Sequence, residues 1–143
     1  WIQDFCELDP DCTKPQPELS SLFTNRCGSP ADLAHLLIAI VRGWGIPARY
    51  VTGYLDSSYF EPDDEHGEDT EPRQQTTHSW AEVLIPGANW RGFDPSTGLV
   101  ADSTYIRVAV GRDAGDVMTE RTVYKGGNPD PETHVSLNVS RLD

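Results

Sequence analysis

The chain has 143 residues, of which 37% are hydrophobic and 9% aromatic, enough apolar surface for one domain around one core. Its 23 acidic and 11 basic residues leave a net charge of -12, and no Lys/Arg cluster offsets that locally, so nucleic acid is excluded as a partner. No apolar run is long enough to span a bilayer, and the opening WIQDFCELDP has neither a basic n-region nor an apolar h-region, which predicts a chain with no membrane partner.

Three cysteines, Cys6, Cys12 and Cys27, are too few and too unevenly spaced for a disulfide scaffold, so a reducing cytoplasm is the expected compartment. Cys6 and Cys12 in CELDPDC read as two unrelated thiols, since no second Cys/His pair lies near enough to complete a metal site. Residues 1–17 are turn-rich and read as a lead-in, the end of a longer N-terminal region, with the domain proper expected over 18–143. PELSSLF then predicts a short helix closing on Asn25 and Arg26.

At SPAD the signals for a helix start coincide. Ser29 is the N-cap, Pro30 stands at the first helical position, and Asp32 at the third reaches back as the acid of a capping box. Leu33, Leu36, Leu37, Ile40 and Val41 follow at i, i+3, i+4 spacing and predict a broad buried face, expected to lie on a sheet through Leu33, Leu36, Leu37 and Ile40. Gly43 and Gly45 end the helix.

Ile46 to Leu55, IPARYVTGYL, alternates β-branched and aromatic residues and predicts a strand. Residues 56–76 are acidic and turn-rich and predict an exposed, mobile loop with scarcely any core residue besides Tyr59 and Phe60. THSWAEVLI, NWRGFD, YIRVAVGR, RTVYKGG and THVSLNVSRL are strand-like runs bounded by Gly, Pro or Asn. Helix first and sheet afterwards predicts an α+β domain: a long N-terminal helix packed on an antiparallel sheet.

A cysteine immediately before a helix start is the arrangement that lowers a thiol pKa, which makes Cys27 the nucleophile that local physics nominates. Its base must be one of the four histidines. His35 lies inside the helix beside core positions and reads as structural, His66 sits in the acidic loop, and His134 opens the last strand among surface-type residues. His78 differs, because it begins an alternating strand whose next members on the same face are Trp80 and Glu82, so imidazole and indole together suggest a cleft wall. Asp94 ends NWRGFD, fixed by Pro95 and a turn. If the two strands form a hairpin about PGA, His78 and Asp94 become cross-strand neighbours.

Taken together, DLAHLLIAIVRGWGIPARYVTGYL, THSWAEVLIPGANWRGFDPSTG, and YIRVAVGRDAGDV followed by VYKGG resemble, in order and spacing, the catalytic domain of bacterial transglutaminase-like proteins, members of the papain-like superfamily with a Cys-His-Asp triad. The resemblance covers the chain from about Leu19 to its end. It implies a papain-like fold, His78 as base, Asp94 as its partner, and a peptide or protein amide as substrate. The family stretch has the form Cys-x-Asp-Phe-Ala-His-Leu; here PADLAHL matches it at Asp32, Ala34, His35 and Leu36 while Pro30 occupies the cysteine's place. Cys27 stands three residues upstream of Pro30, a displacement of roughly 5 Å even along a helix. Ser29 is nearer, but its hydroxyl is wanted for the cap.

The site residues expected from the sequence are therefore Cys27, His78 and Asp94 for catalysis, in a cleft lined by Ser29, Pro30 and Trp80. Two functions compete: thiol acyl transfer or amide hydrolysis, and recognition of a peptide or amide ligand without turnover. A metal-dependent hydrolase has no clustered ligand spacing behind it, and no cofactor is implied. Asn138 in NVS matches a glycosylation sequon, a pattern frequent by chance. Oligomeric state is not encoded in any motif of the chain.

Overall fold

The computed structural model describes residues 2–8, 19–56 and 77–118. Cys12, most of the acidic segment with Tyr59, Phe60 and His66, and the C-terminal runs with His134 and Asn138 lie outside the described residues. In chain order the elements are α1 (Ile2–Phe5), β1 (Glu7–Leu8), α2 (Leu19–Asn25), β2 (Cys27–Gly28), α3 (Pro30–Gly43), β3 (Ala48–Leu55), β4 (His78–Ile85), β5 (Asn89–Asp94), β6 (Leu99–Val100), β7 (Tyr105–Gly111) and a 3-10 turn at Ala114–Val117. No helix among the described residues is long and apolar enough to cross a membrane.

The main sheet has five strands in the order β6-β5-β4-β3-β7, and each neighbouring pair runs antiparallel. β4 and β5 are a hairpin about Pro86-Gly87-Ala88, closed by Ala88 N–H donating to Ile85 O at 3.0 Å. Proline at the second turn position and Gly87 with φ +78° at the third are what a type II turn requires. The first strand was expected from Ile46, but the ladder begins at Ala48. Gly45 turns the chain at φ +76°, and Pro47 has no N–H to give a neighbouring strand.

α3 begins as its sequence dictates. Ser29 Oγ accepts from Asp32 N–H at 3.3 Å, and the Asp32 carboxylate accepts from Ser29 N–H at 2.9 Å, the reciprocal bonds of a capping box. Which face meets the sheet differs from the expectation. Ala34, Ile38 and Val41 pack on Ala48, Tyr50, Ala81 and Val83, whereas Leu33 and Leu36 turn the other way onto Cys6 and Leu22. The helix is apolar on two sides because it is sandwiched. Small Ala34 lets its backbone approach the sheet, and the leucines fill the wider gap toward α1 and α2, each full burial being worth roughly 1.5–3 kcal/mol. α3 is accordingly not the N-terminal element, and the described part of the lead-in is not peripheral to the domain. Cys6 is 2% exposed, in contact with α2 and α3, and Glu7–Leu8 pairs in parallel with Cys27–Gly28.

β3 carries its glycine where space is smallest. A Cβ on Gly53 would lie 2.0 Å from the Ile106 carbonyl oxygen and 2.8 Å from Cη2 of Trp80, at the point where the β3–β7 register shifts. Gly53→Ala should therefore cost about 1–3 kcal/mol in urea unfolding, because backbone rather than a yielding side chain is in the way. An unchanged unfolding midpoint would show that β7 does not press on β3 there.

Candidate active site

His78 is the first residue of β4, and Asp94 the last of β5. The hairpin register pairs Ala81 with Phe93, so one further step sets Asp94 level with Trp80 and leaves His78 its diagonal neighbour on the same face. The side chains close that diagonal: His78 Nε2 lies 2.6 Å from Asp94 Oδ2. Asp94 has no exposed side-chain surface, and His78 retains 13%.

The carboxylate is held from three directions. Oδ1 accepts from Ser96 Oγ at 2.6 Å and Ser96 N–H at 2.9 Å, while Oδ2 accepts from Tyr105 Oη at 3.0 Å as well as meeting His78. Burial pushes the Asp94 pKa up, but the bonds from His78, Ser96 and Tyr105 together overcome it and bring the group down to about 2. Asp94 is thus an ionised acceptor near neutrality. Nε2 of His78 therefore donates the proton that lies between them.

The ring of His78 stacks on Trp80 at 6.3 Å between centroids, and Tyr105 meets Trp80 edge-on at 5.3 Å. Trp80 was expected on the cleft wall. It is instead 2% exposed, a buried platform wedged against Gly53 and close to Gly92, because the absence of side chains at those glycines makes room for the indole. Further along the same face Glu82 is buried between Arg49, at 2.6 Å, and Arg107, at 3.2 Å, with the Arg49 guanidinium over the Trp90 ring.

A cavity of about 300 Å³ opens at the N-terminus of α3. Ser29, Pro30 and Ala31 form its helical wall, Tyr50 and Thr52 come from β3, and Thr77 and Ser79 flank His78 in sequence. His78 and Asp94 are not among the described residues that line it; they lie on the Trp80 face of the sheet, whereas Ser79, the neighbour of His78 in sequence, is in the cavity wall. Ser29 and Pro30 are where the sequence puts the cleft, but the Ser29 hydroxyl is spent in the cap, 2.7 Å from Asp32 Oδ2. Cys27 is not among the described residues that line the cavity: the β1–β2 ladder pairs it with Glu7, upstream of the cap.

His35 has the structural part read from its sequence. It stacks on Tyr50 at 4.7 Å, its Nε2 accepts from Ala114 N–H at 3.3 Å, and burial pushes its pKa down. Among the described residues no group of three or more His, Cys, Asp and Glu is placed to hold a metal ion. Two partners of Asp94 were not singled out from the sequence. Ser96 was readable, since Asp-Pro-Ser-Thr is a segment in which an aspartate bonds its own following turn. Tyr105 carried no signal, because its strand sits at the far edge of the sheet and reaches Asp94 only through tertiary folding.

The sequence pattern of the transglutaminase-like superfamily matches residues 1–95. The chain belongs to that superfamily. An uncharacterized protein of Mycobacterium leprae is 37% identical over 111 residues, which are 78% of this chain and 37% of the relative. One of Mycobacterium tuberculosis is 35% identical over 125 residues, 85% of this chain and 38% of the relative. A crystal structure from Cytophaga hutchinsonii, named as a "putative cysteine protease", superimposes with a TM-score of 0.63 at 32% identity, over 82% of this chain and 35% of that one. The transglutaminase-like α+β fold is therefore established, and this superfamily domain spans less than two fifths of the length of these relatives.

The Asp94 environment has a consequence at low pH. A carboxyl whose folded pKa is depressed from 3.8 to about 2 stabilises the fold above the upper value, and that contribution is lost as pH falls through the lower one. Asp94→Asn should flatten the stability profile between those two values, removing about 2 kcal/mol of pH dependence in denaturant titrations. A profile equally steep in the variant would assign the acid sensitivity to other carboxylates.

Proposed function

We propose that this domain is a transglutaminase-like recognition module: a cleft for a peptide or protein amide that does not run thiol acyl transfer. The observation that carries the reading is Pro30, which occupies the first position of α3 in the cavity wall, where the family resemblance puts the reacting cysteine. Proline offers neither a thiol nor an N–H. It suits the helix, since the first N–H of a helix has no acceptor in any case, and for that reason the cap is well formed around it. The other two triad positions, His78 and Asp94, remain bonded to each other.

The lining supports a neutral ligand. Among the described residues no Lys or Arg lines the cavity, whose wall offers hydroxyls from Tyr50, Thr52 and Ser79 and the apolar surface of Pro30, Ala31 and Val117. An amide can both accept and donate among hydroxyls.

Purified protein should show no iodoacetamide-sensitive hydrolysis or amine transfer on peptide amides. Pro30→Cys should install a thiol at a helix N-terminus, at the position that the family resemblance pairs with His78, and alkylation by iodoacetamide near neutral pH should run about 10-fold or more faster than at an ordinary cysteine. The acceleration should disappear when His78→Ala is added. Rapid, His78-dependent labelling of Cys27 in the unmodified chain would overturn the proposal and make Cys27 the working residue.

A further inference from the structure

We infer that His35 is a proton-operated latch on the wall of the cavity: neutral, it ties the Ala114–Val117 turn to α3, and protonated, it releases that wall. The inference rests on the recognition reading for the use of the cavity, and it adds a regulation of that same site.

The ring stands behind two walls at once. His35 Nε2 accepts from Ala114 N–H at 3.3 Å, so Nε2 holds a lone pair and the imidazole is neutral in this structure. One face stacks on Tyr50 at 4.7 Å between centroids. Tyr50 and Ala114 both line the cavity, together with Val117 and Met118 from the same turn and its end. His35 itself is partly buried and is not among the described lining residues, so it acts on a ligand only through the residues it holds.

Among the described residues, His35 and Arg42 are the side chains of α3 that hydrogen-bond this segment. Arg42 donates to Arg112 O at 2.8 Å and to Ala48 O at 2.9 Å, and a guanidinium keeps its charge and these bonds across the whole accessible pH range. Within the turn, Asp113 accepts from Gly115 N–H at 2.9 Å, and Arg112 holds the Asp116 carboxyl well below the usual carboxylate range. The bond to His35 is therefore the one that titrates near neutrality. A proton on Nε2 would face the Ala114 N–H with a second donor, and the bond would be lost.

The charged groups around the ring set the direction. Asp113 from the turn and Asp32 from α3 favour the cation, and Arg42 opposes it. Tyr50 from β3 is neutral, its hydroxyl donating to Ser79 of β4 at 2.7 Å and its own pKa raised by burial. Burial of the imidazole is the largest influence and brings His35 below its ordinary 6.5. A lowered folded value means that the latch is complete above 6.5 and is lost as pH falls through the folded value.

The test is an NMR titration of the unmodified protein labelled at the methyl group of Met118, the only methionine of the sequence and a reporter on the cavity wall. Near neutral pH the ring nitrogen shifts of His35 should show Nε2 without a proton, with the Ala114 amide protected from exchange. On acidification His35 should titrate below 6.5, and the Met118 methyl signal should move with the same midpoint. Across that midpoint the Ala114 amide, corrected for the intrinsic pH dependence of exchange, should lose about 10-fold in protection, as expected for one net hydrogen bond. His35→Gln offers a carbonyl acceptor that takes no proton, so in that variant Ala114 should stay protected and the step at Met118 should vanish. Should the variant not fold, coincidence of the three midpoints in the unmodified protein supports the latch without it. A proton on Nε2 near neutral pH, or Ala114 and Met118 signals that ignore the His35 midpoint, would overturn the inference and leave the recognition reading, which depends on Pro30, standing. Thiol chemistry at Cys27 would overturn that reading without moving these signals.

Discussion

The carboxylate of Asp94 is the point on which the site depends. It has no exposed surface, and its charge is tolerated because donors converge on it from the start of β4, from its own turn and from β7. Removing a partner from a buried charge costs far more than an exposed pair contributes, since the remaining charge cannot recover its water. The same bonds fix the imidazole of His78. Site geometry and fold stability are therefore not separable here: the hairpin register, the Asp-Pro-Ser-Thr turn and the packing of β7 all have to be correct for His78 to present Nδ1 rather than Nε2.

Trp80 extends that dependence into the sheet. The indole fits only because Gly53 and Gly92 leave room beside their backbones, and it gives both His78 and Tyr105 a surface to rest on. The residue that looked like part of a cleft is the floor beneath the pair. On the opposite side of the sheet, α3 stands between two apolar clusters, one with the sheet and one with α1 and α2. Its N-terminus is held by the capping box and by the β1–β2 ladder, so the position of Pro30 is as fixed as that of the imidazole.

At the helix mouth local stability and chemistry pull in different directions. Ser29, Pro30 and Asp32 make a strong helix start, but proline surrenders both the side chain and the N–H that a reacting group there would supply. The cavity, the imidazole and the carboxylate nevertheless remain. The bonded His78–Asp94 pair and the capped Pro30 are each held by contacts of the fold itself, whatever ligand the domain takes.

Much of this was legible in the residues. The capping box at Ser29–Asp32, the end of α3 at Gly43, the PGA hairpin and the pairing of His78 with Asp94 all follow from rules acting over a few residues: caps, alternation and turn geometry. The short lead-in elements, the sheet-facing side of α3, the burial of Trp80 and the bond from Tyr105 did not. Spacing reports that a helix is apolar, but not which of two neighbours each side will meet, and Ala34 is too small to stand out in a pattern dominated by leucines. Tyr105 begins β7, which two strands separate from β5, so its bond to Asp94 depends on the strand order, and no short stretch of sequence encodes strand order. Local hydrogen bonding and periodicity are properties of consecutive residues, whereas the partners of a buried charge are chosen by contacts that exist only once the whole sheet has formed.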